Sequence, residues 1–337
     1  MSFETWMLKA GNDSVSIAEI GATVLDWQVE DDFQVLGEGP QPGEGAQVLQ
    51  RRTVHVVDGY RDADELRNMN GFRNAVMAPW SNRLRDGKYN FQGREYDFKG
   101  KTIGGPLALH GLVADQPFEL VESGEDFLKA KVQVPKIEAY PFEVEVEVTY
   151  RLLADPHRLE LDLVARNRGE EDAPITLGWH PYLTCQGGSA ETTKITVPSQ
   201  VRIQADKNLI PKPGVKGFST QTYPVTLVHR RDIDWGMTSL VEENGVATAV
   251  VDHVDGSQTA VELRGARQGL GLGSFQIYTG QDLGYRRGIS VAVEPLLAMT
   301  DAFNRPECED LITVGPGQAQ ELHAALEHRP PNSLKDL

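Results

Sequence analysis

Cysteine is nearly absent. Cys185 and Cys308 are the only two among 337 residues, too few and too far apart for a disulfide framework or a thiolate metal site, so both thiols are expected to be reduced. Basic residues are also short: 33 Lys and Arg face 49 Asp and Glu, leaving a formal charge of −16. A polyanion would meet net repulsion with no basic stripe to offset it, which argues against nucleic acid as a partner. No apolar run reaches the roughly eighteen residues of a membrane-spanning helix. The opening Met1-Ser2-Phe3-Glu4-Thr5-Trp6 lacks a basic region followed by an apolar one. A cytoplasmic location with no membrane partner is the expectation. Helical periodicity is scarce, and there is no internal repeat or low-complexity linker.

What is present is strand periodicity. Phe142 to Leu152 alternates apolar and polar residues without a break, the pattern of a strand with one wet face. Arg158 to Leu163 repeats it after a turn at Asp155-Pro156, so the two segments read as adjacent antiparallel strands. Shorter β-type runs cover Thr23 to Val29, Phe127 to Val134, Pro174 to Leu183, Val246 to Val251, Thr259 to Leu263, Ser274 to Tyr278 and Ile289 to Pro295. Turn chemistry is dense, with 33 Gly and 19 Pro, and Tyr89 to Tyr96 reads as a tight hairpin centred on Gln92-Gly93. These features predict an all-β fold, a large antiparallel β-sandwich in one domain over 1–337. The Gly/Pro-rich stretch Gly37 to Gly45 reads as a surface loop, and the tail Arg329 to Ser333 as a segment that frays or drapes over the surface.

Three signals resemble chemistry and fail on context. Gly269-Leu270-Gly271-Leu272-Gly273 precedes a strand-like segment rather than the helix start a phosphate loop needs. Asp252-His253-Val254-Asp255-Gly256 lacks the remaining calcium ligands and reads as a hairpin turn. His323 and His328 match no zinc-binding spacing, so neither implies a metal.

Four other segments place polar groups where a sandwich prefers apolar ones: Asn82-Arg83-Leu84-Arg85, Leu109-His110-Gly111, Thr176 to Leu183 around His180-Pro181-Tyr182, and Ile289 to Pro295 around Glu294. Period-two geometry puts Thr176, Gly178 and His180 on one face, with small neighbours leaving room for a ligand. It also separates Ser290, Ala292 and Glu294 from the apolar Ile289, Val291 and Val293. A half-buried carboxyl group and a half-buried imidazole suit general acid-base work, since burial raises one pKa towards neutrality and the other already titrates near it.

With Asp301-Ala302-Phe303-Asn304 after Glu294-Pro295, these segments resemble, in order, the motifs of the aldose 1-epimerase (galactose mutarotase-like) family over about residues 70 to 305. The resemblance implies a galactose mutarotase-like β-sandwich, no cofactor, no metal, and interconversion of the α and β anomers of a free sugar. By position it makes Glu294 the base at the C1 hydroxyl and His180 the acid at the ring oxygen. His110 would hydrogen-bond near that oxygen, and Arg83 and Asn82 would bind sugar hydroxyls. The family's substrate-binding Asp matches Asp234, with Asp232 as the alternative, and Gln276 and Tyr278 correspond to the pocket floor. Two other functions stay open on the sequence: a hexose-6-phosphate epimerase, for which Arg73, Arg83 and Arg85 are available cations, and a non-catalytic carbohydrate-binding protein. The oligomeric state is left open.

Overall fold

The alternation in the sequence builds the largest sheet. In strand Val144–Ala154, residues Val144, Val146, Val148, Tyr150 and Leu152 are buried, while Glu145, Glu147 and Thr149 reach solvent. It pairs antiparallel with His157–Asn167 along its whole length, from Val144 opposite Asn167 to Ala154 opposite His157. The structure is a computed structural model and describes residues 3–36, 47–102, 104–228 and 232–331. The Gly/Pro-rich stretch 37–45 lies outside the described residues.

Nine strands form this sheet in the order Val225–Leu227, Lys194–Val197, Val246–Asp252, Gln258–Arg264, Ala319–Arg329, His157–Asn167, Val144–Ala154, Phe127–Gln133 and Glu119–Ser123. A second sheet of eight strands runs Phe218–Thr220, Ser199–Ile203, Asp234–Leu240, Leu272–Tyr278, Ser290–Ala298, Gly178–Trp179 and Val76–Met77, with Tyr182–Thr184 also on Ser290–Ala298. Both are antiparallel at every pairing. One hydrophobic cluster joins them, taking Val146, Leu161 and Leu326 from the first and Phe275, Val291 and Val293 from the second. Each such fully buried side chain contributes about 1.5–3 kcal/mol. A four-stranded sheet, Thr5–Ala10 to Gln47–His55, adds Trp6, Leu8 and Trp27 to the same core. Among the described residues no helix is long and apolar enough to cross a membrane.

The Gln92-Gly93 hairpin forms as the sequence predicts. Both central residues have positive φ, +50° and +79°, the backbone that suits a tight turn between right-twisted strands. Asp252 to Gly256 does close a hairpin between Val246–Asp252 and Gln258–Arg264, and Gly269 to Gly273 leads into strand Leu272–Tyr278 rather than a helix. Cys185 and Cys308 are buried free thiols.

Two expectations are corrected. The chain does not fray at Arg329, which ends an eleven-residue strand in the middle of the nine-stranded sheet. Leu322, Ala324, Leu326 and His328 alternate into the interior there; Asn332 and Ser333 lie outside the described residues. The run Pro174 to Leu183 is not one strand but three short pieces, Ala173–Pro174 on Thr313–Val314, and Gly178–Trp179 and Tyr182–Thr184 at separate positions on Ser290–Ala298. That break frees the chain at His180-Pro181 from ladder geometry and lets the imidazole be aimed.

Candidate active site

Antiparallel register assembles one wall of the site. Residues directly opposite each other share a sheet face. Asp234 lies opposite Tyr278, Tyr278 opposite Ala292, and Ala292 opposite Tyr182; one step along, Gly236 lies opposite Gln276 and Gln276 opposite Glu294. Four strands thus present Asp234, Tyr278, Gln276, Glu294 and Tyr182 on one face. Gly236 keeps space open there: a Cβ would fall 3.1 Å from Gln276 Oε1 and 2.8 Å from Ile203 Cδ1 and push those side-chain ends aside. Gln276 uses the space to donate to Asp234 Oδ1.

Two loops complete the site. Asn82 and His110 both take positive φ, +58° and +61°. They lock together: the His110 amide donates to Asn82 O at 2.9 Å and the Asn82 amide donates to His110 Nδ1 at 3.2 Å. Gly111 has no alternative, since a Cβ would sit 2.1 Å from Ala78 O. Asn82 Oδ1 accepts from the Arg83 backbone and from Arg83 Nη1, at 2.9 and 3.1 Å, which aims the guanidinium. Asp301-Ala302-Phe303-Asn304 buttresses this turn. The Asp301 amide donates to Arg83 O, Asp301 Oδ1 accepts from the Arg85 amide and from Asn304 Nδ2, and Phe303 packs edge-on against Trp80 and Tyr89.

His180-Pro181-Tyr182 is held by Asn74. The Asn74 amide donates to His180 O, its Oδ1 accepts from the Tyr182 amide at 2.8 Å, and its Nδ2 donates to Val24 O at 2.9 Å. The His180 ring lies parallel to Tyr182, 6° between planes and 5.0 Å between centroids, and meets His110 edge-on at 4.9 Å.

The result is a cavity of about 100 Å3 lined by Gly71, Phe72, Asn82, Arg83, Leu109, His110, His180, Tyr182, Asp234, Tyr278, Asp282 and Glu294. His180 Nε2 stands 3.4 Å from Glu294 Oε1, with both side chains at most 5% exposed. Glu294 Oε2 and His180 Nδ1 are buried with no hydrogen-bond partner, a costly state that a polar ligand relieves. Three wider external clefts, about 470 to 680 Å3, contain no histidine.

Burial sets the electrostatics. It pushes the Glu294 carboxyl well above the usual carboxylate range, with Asp234 adding repulsion and Arg83 opposing. It lowers His180 to about 3, with Arg73 and Arg83 pushing the same way. His110 is held well below its ordinary value by burial and by His180 and Arg83. Its tautomer follows from geometry: Nδ1 accepts the Asn82 amide, so the proton of the neutral ring is on Nε2 and that nitrogen is a donor.

This tautomer bears on metal binding. One ring nitrogen each from His110 and His180 and a Glu294 oxygen lie within 4.8 Å of one another. A metal-ligating histidine donates its other N–H outward, whereas His110 Nδ1 receives one. Ligation through Nε2 would therefore break the Asn82 contact, and the donor set does not suit a metal.

The residue pattern and the fold agree with what similarity finds. The aldose 1-epimerase family model matches residues 42–326. The chain belongs to the aldose 1-epimerase family. YihR, an uncharacterized protein of Escherichia coli K12, is 28% identical over 240 residues, 68% of this chain and 71% of its own. Galactose mutarotase of Sus scrofa is 26% identical over 216 residues, 62% of this chain and 56% of its own. The match thus spans just over half the length of that mutarotase. In overall fold the aldose epimerase homologue from C. elegans superposes with a TM-score of 0.78 at 14% identity, covering 98% of this chain and 100% of the other. Galactose 1-epimerase from Lactobacillus acidophilus gives 0.70 at 12% identity, covering 98% and 100%.

Within this aldose 1-epimerase fold, Glu294, His180, His110, Arg83, Asn82, Asp234 and Tyr278 all line the cavity. Gln276 does not; it stands behind Asp234 as a support. Asp234 faces the cavity, whereas Asp232 is exposed and paired with Arg287. Gly178 leaves no room for a ligand: a Cβ there would meet Leu296, Met77 and Ser81 at 2.5 to 3.0 Å, so its small size serves packing. Gly71 and Phe72, which line the cavity, escaped sequence reasoning, as did Asn74 and Asp282. Asn74 carries no motif. Asp282 comes from a loop whose only signal is the recurrence of Gly280, Gly284 and Gly288, all at positive φ.

Proposed function

We propose that this protein is a mutarotase acting in the cytoplasm on a free aldose, with Glu294 and His180 as the acid-base pair. The observation that carries this reading is the meeting of those two side chains, 114 residues apart, at 3.4 Å in one cavity. Glu294 takes the proton of the C1 hydroxyl while His180 gives one to the ring oxygen, and the C1–O5 bond breaks. The C1–C2 bond rotates, and closure on the other carbonyl face reverses both transfers. Burial raises the proton affinity of Glu294 and lowers that of His180. The step therefore starts from the ion-pair form of a pair that shares one proton across 3.4 Å, carboxylate with imidazolium, and runs toward its uncharged form. After ring opening both groups are uncharged, the arrangement a dry cavity prefers. His110 Nε2–H is placed to donate to a sugar oxygen, and Arg83 and Asp234 to hold hydroxyls.

A free sugar is favoured over a sugar phosphate by the cations. Arg73 is buried against Asp58 and Ser290, and Arg85 faces Asp301, Asp206 and Pro211 O. Arg83 is the single cation lining the cavity among the described residues, with Asp234 at 3.7 Å and Asp282 also in the wall. The test is NMR exchange spectroscopy over a panel of free aldoses and their 6-phosphates. Faster exchange of at least one free aldose is expected. Acceleration of phosphates alone would replace this reading with the phosphate one, and sugar binding without acceleration would leave a carbohydrate-binding protein.

A further inference from the structure

Behind Tyr182 lies a buried ionic cluster that the proposed reaction does not use. Arg73, 1% exposed, donates from Nη1 to Asp58 Oδ2 at 2.7 Å and to Ser290 Oγ at 3.3 Å. Asp58 is already served without it, by Arg286 on Oδ1 and by the Ser290 hydroxyl on Oδ2 at 2.7 Å. Arg286 is in turn paired with Glu65. Two guanidiniums thus balance two carboxylates, and one nitrogen of Arg73 is enough for its share. Its Nη2 is buried with no hydrogen-bond partner, an unfavourable state for a side chain whose task is only to neutralise a carboxylate.

The guanidinium is instead laid over an aromatic ring. Arg73 Cζ stands 4.5 Å from the Tyr182 centroid, and the same ring lies parallel to His180, 5.0 Å between centroids. Tyr182 is pinned at both ends, its hydroxyl donating to Gly71 O at 3.0 Å and its amide to Asn74 Oδ1. The phenol ring thus contacts both the cation and the imidazole that meets Glu294.

We infer that Arg73 is a positioning residue for His180, acting through the ring of Tyr182. The inference rests on the acid-base role given to His180 above. The stack fixes the plane of the imidazole so that Nε2 faces Glu294, and the charge disfavours a second positive charge on the ring, which makes it a better proton donor. The other groups facing His180 are Glu294, His110, Tyr182 and Arg83. Burial, aided by Arg73 and Arg83, is what lowers the imidazole.

The test compares Arg73→Met and Arg73→Lys in the full chain, reading kcat and KM by NMR exchange and the His180 ring proton between pH 8 and 4, assigned by its loss in His180→Asn. Arg73→Met is expected to lower kcat about tenfold with little change in KM, and to make the His180 resonance begin titrating where the wild-type one stays flat. Arg73→Lys keeps the charge and is expected to keep that resonance flat. If Arg73→Met loses only thermal stability, with kcat and titration as in the wild type, Arg73 is structural and the inference falls. Should Arg73→Met not fold, Tyr182→Leu cuts the stack and leaves Arg73 on Asp58; a wild-type kcat and titration there would equally overturn it. Should the wild type accelerate no aldose, the functional reading fails separately, and the titration still decides for or against Arg73.

Discussion

Among the described residues, two fully buried imidazole–carboxylate pairs have the same spacing and opposite electrostatics. His180 Nε2 is 3.4 Å from Glu294 Oε1 on the eight-stranded sheet, and His328 Nε2 is 3.4 Å from Asp31 Oδ2 at a distant site. Asp31 is fully buried, yet its carboxyl is lowered: burial pushes it up, but hydrogen bonds from His328 and from Arg52, whose Nη2 donates at 3.0 Å, outweigh that. Glu294 has no arginine donor, so burial prevails and its carboxyl is raised. Distance therefore does not make a proton-transfer pair. Both pairs leave one carboxylate oxygen and one ring nitrogen without a hydrogen-bond partner, so it is the arginine on Asp31 that decides whether the carboxylate is held as a fixed charge or left able to exchange a proton.

The contrast is tested most severely by removing the carboxylates. Glu294→Gln is expected to lower kcat about a thousand-fold while sugar binding survives, whereas Asp31→Asn leaves kcat unchanged, both by NMR exchange and calorimetry. Loss of activity in both would mean that the two pairs are coupled. His180→Asn should cost about a hundred-fold in kcat, against no loss for His328→Asn.

Stability should respond in the reverse order. Asp31→Asn is expected to cost about 3 kcal/mol in urea unfolding at pH 7, because Arg52 and His328 lose their shared partner. Since the folded Asp31 carboxyl is lowered below the ordinary 3.8, its contribution is present above that pH and is lost as pH falls further. For Glu294 the sign is opposite. Its folded pKa is raised above the ordinary 4.5, so above that pH the unfolded chain releases the proton first and folding is penalised progressively. Glu294→Gln removes the penalty, and its Tm should exceed the wild-type value at pH 7 and converge with it below about pH 4. A gain that persists at low pH would show that packing, not ionisation, explains it. The smallest expected effect is in binding: Asp234→Asn should raise KM about tenfold with kcat little altered.

Legibility differed between regions for physical reasons. Strands Val144–Ala154 and His157–Asn167 keep one dry and one wet face, so their alternation declares them. The strand Ala319–Arg329 is as regular, but buried on Ala325 as well as on Leu322, Ala324 and Leu326, and the prolines after Arg329 gave it the look of a tail. At the site the motif residues Asn82, His110, His180 and Glu294 were readable because their neighbours are chemically unusual for a sandwich. Asn74, Asp282 and the Arg73–Tyr182 contact were not, because each acts through a partner far away in the chain.

By itself, the order of residues determined an antiparallel β protein and the side chains able to move a proton, since periodicity and side-chain chemistry are local properties. Only the tertiary structure decided which of them share a cavity, that Asp234 and not Asp232 faces it, and that Gly178 serves packing. Strand register and burial are long-range, and they alone turn a glutamate and a histidine into a pair with shifted proton affinities.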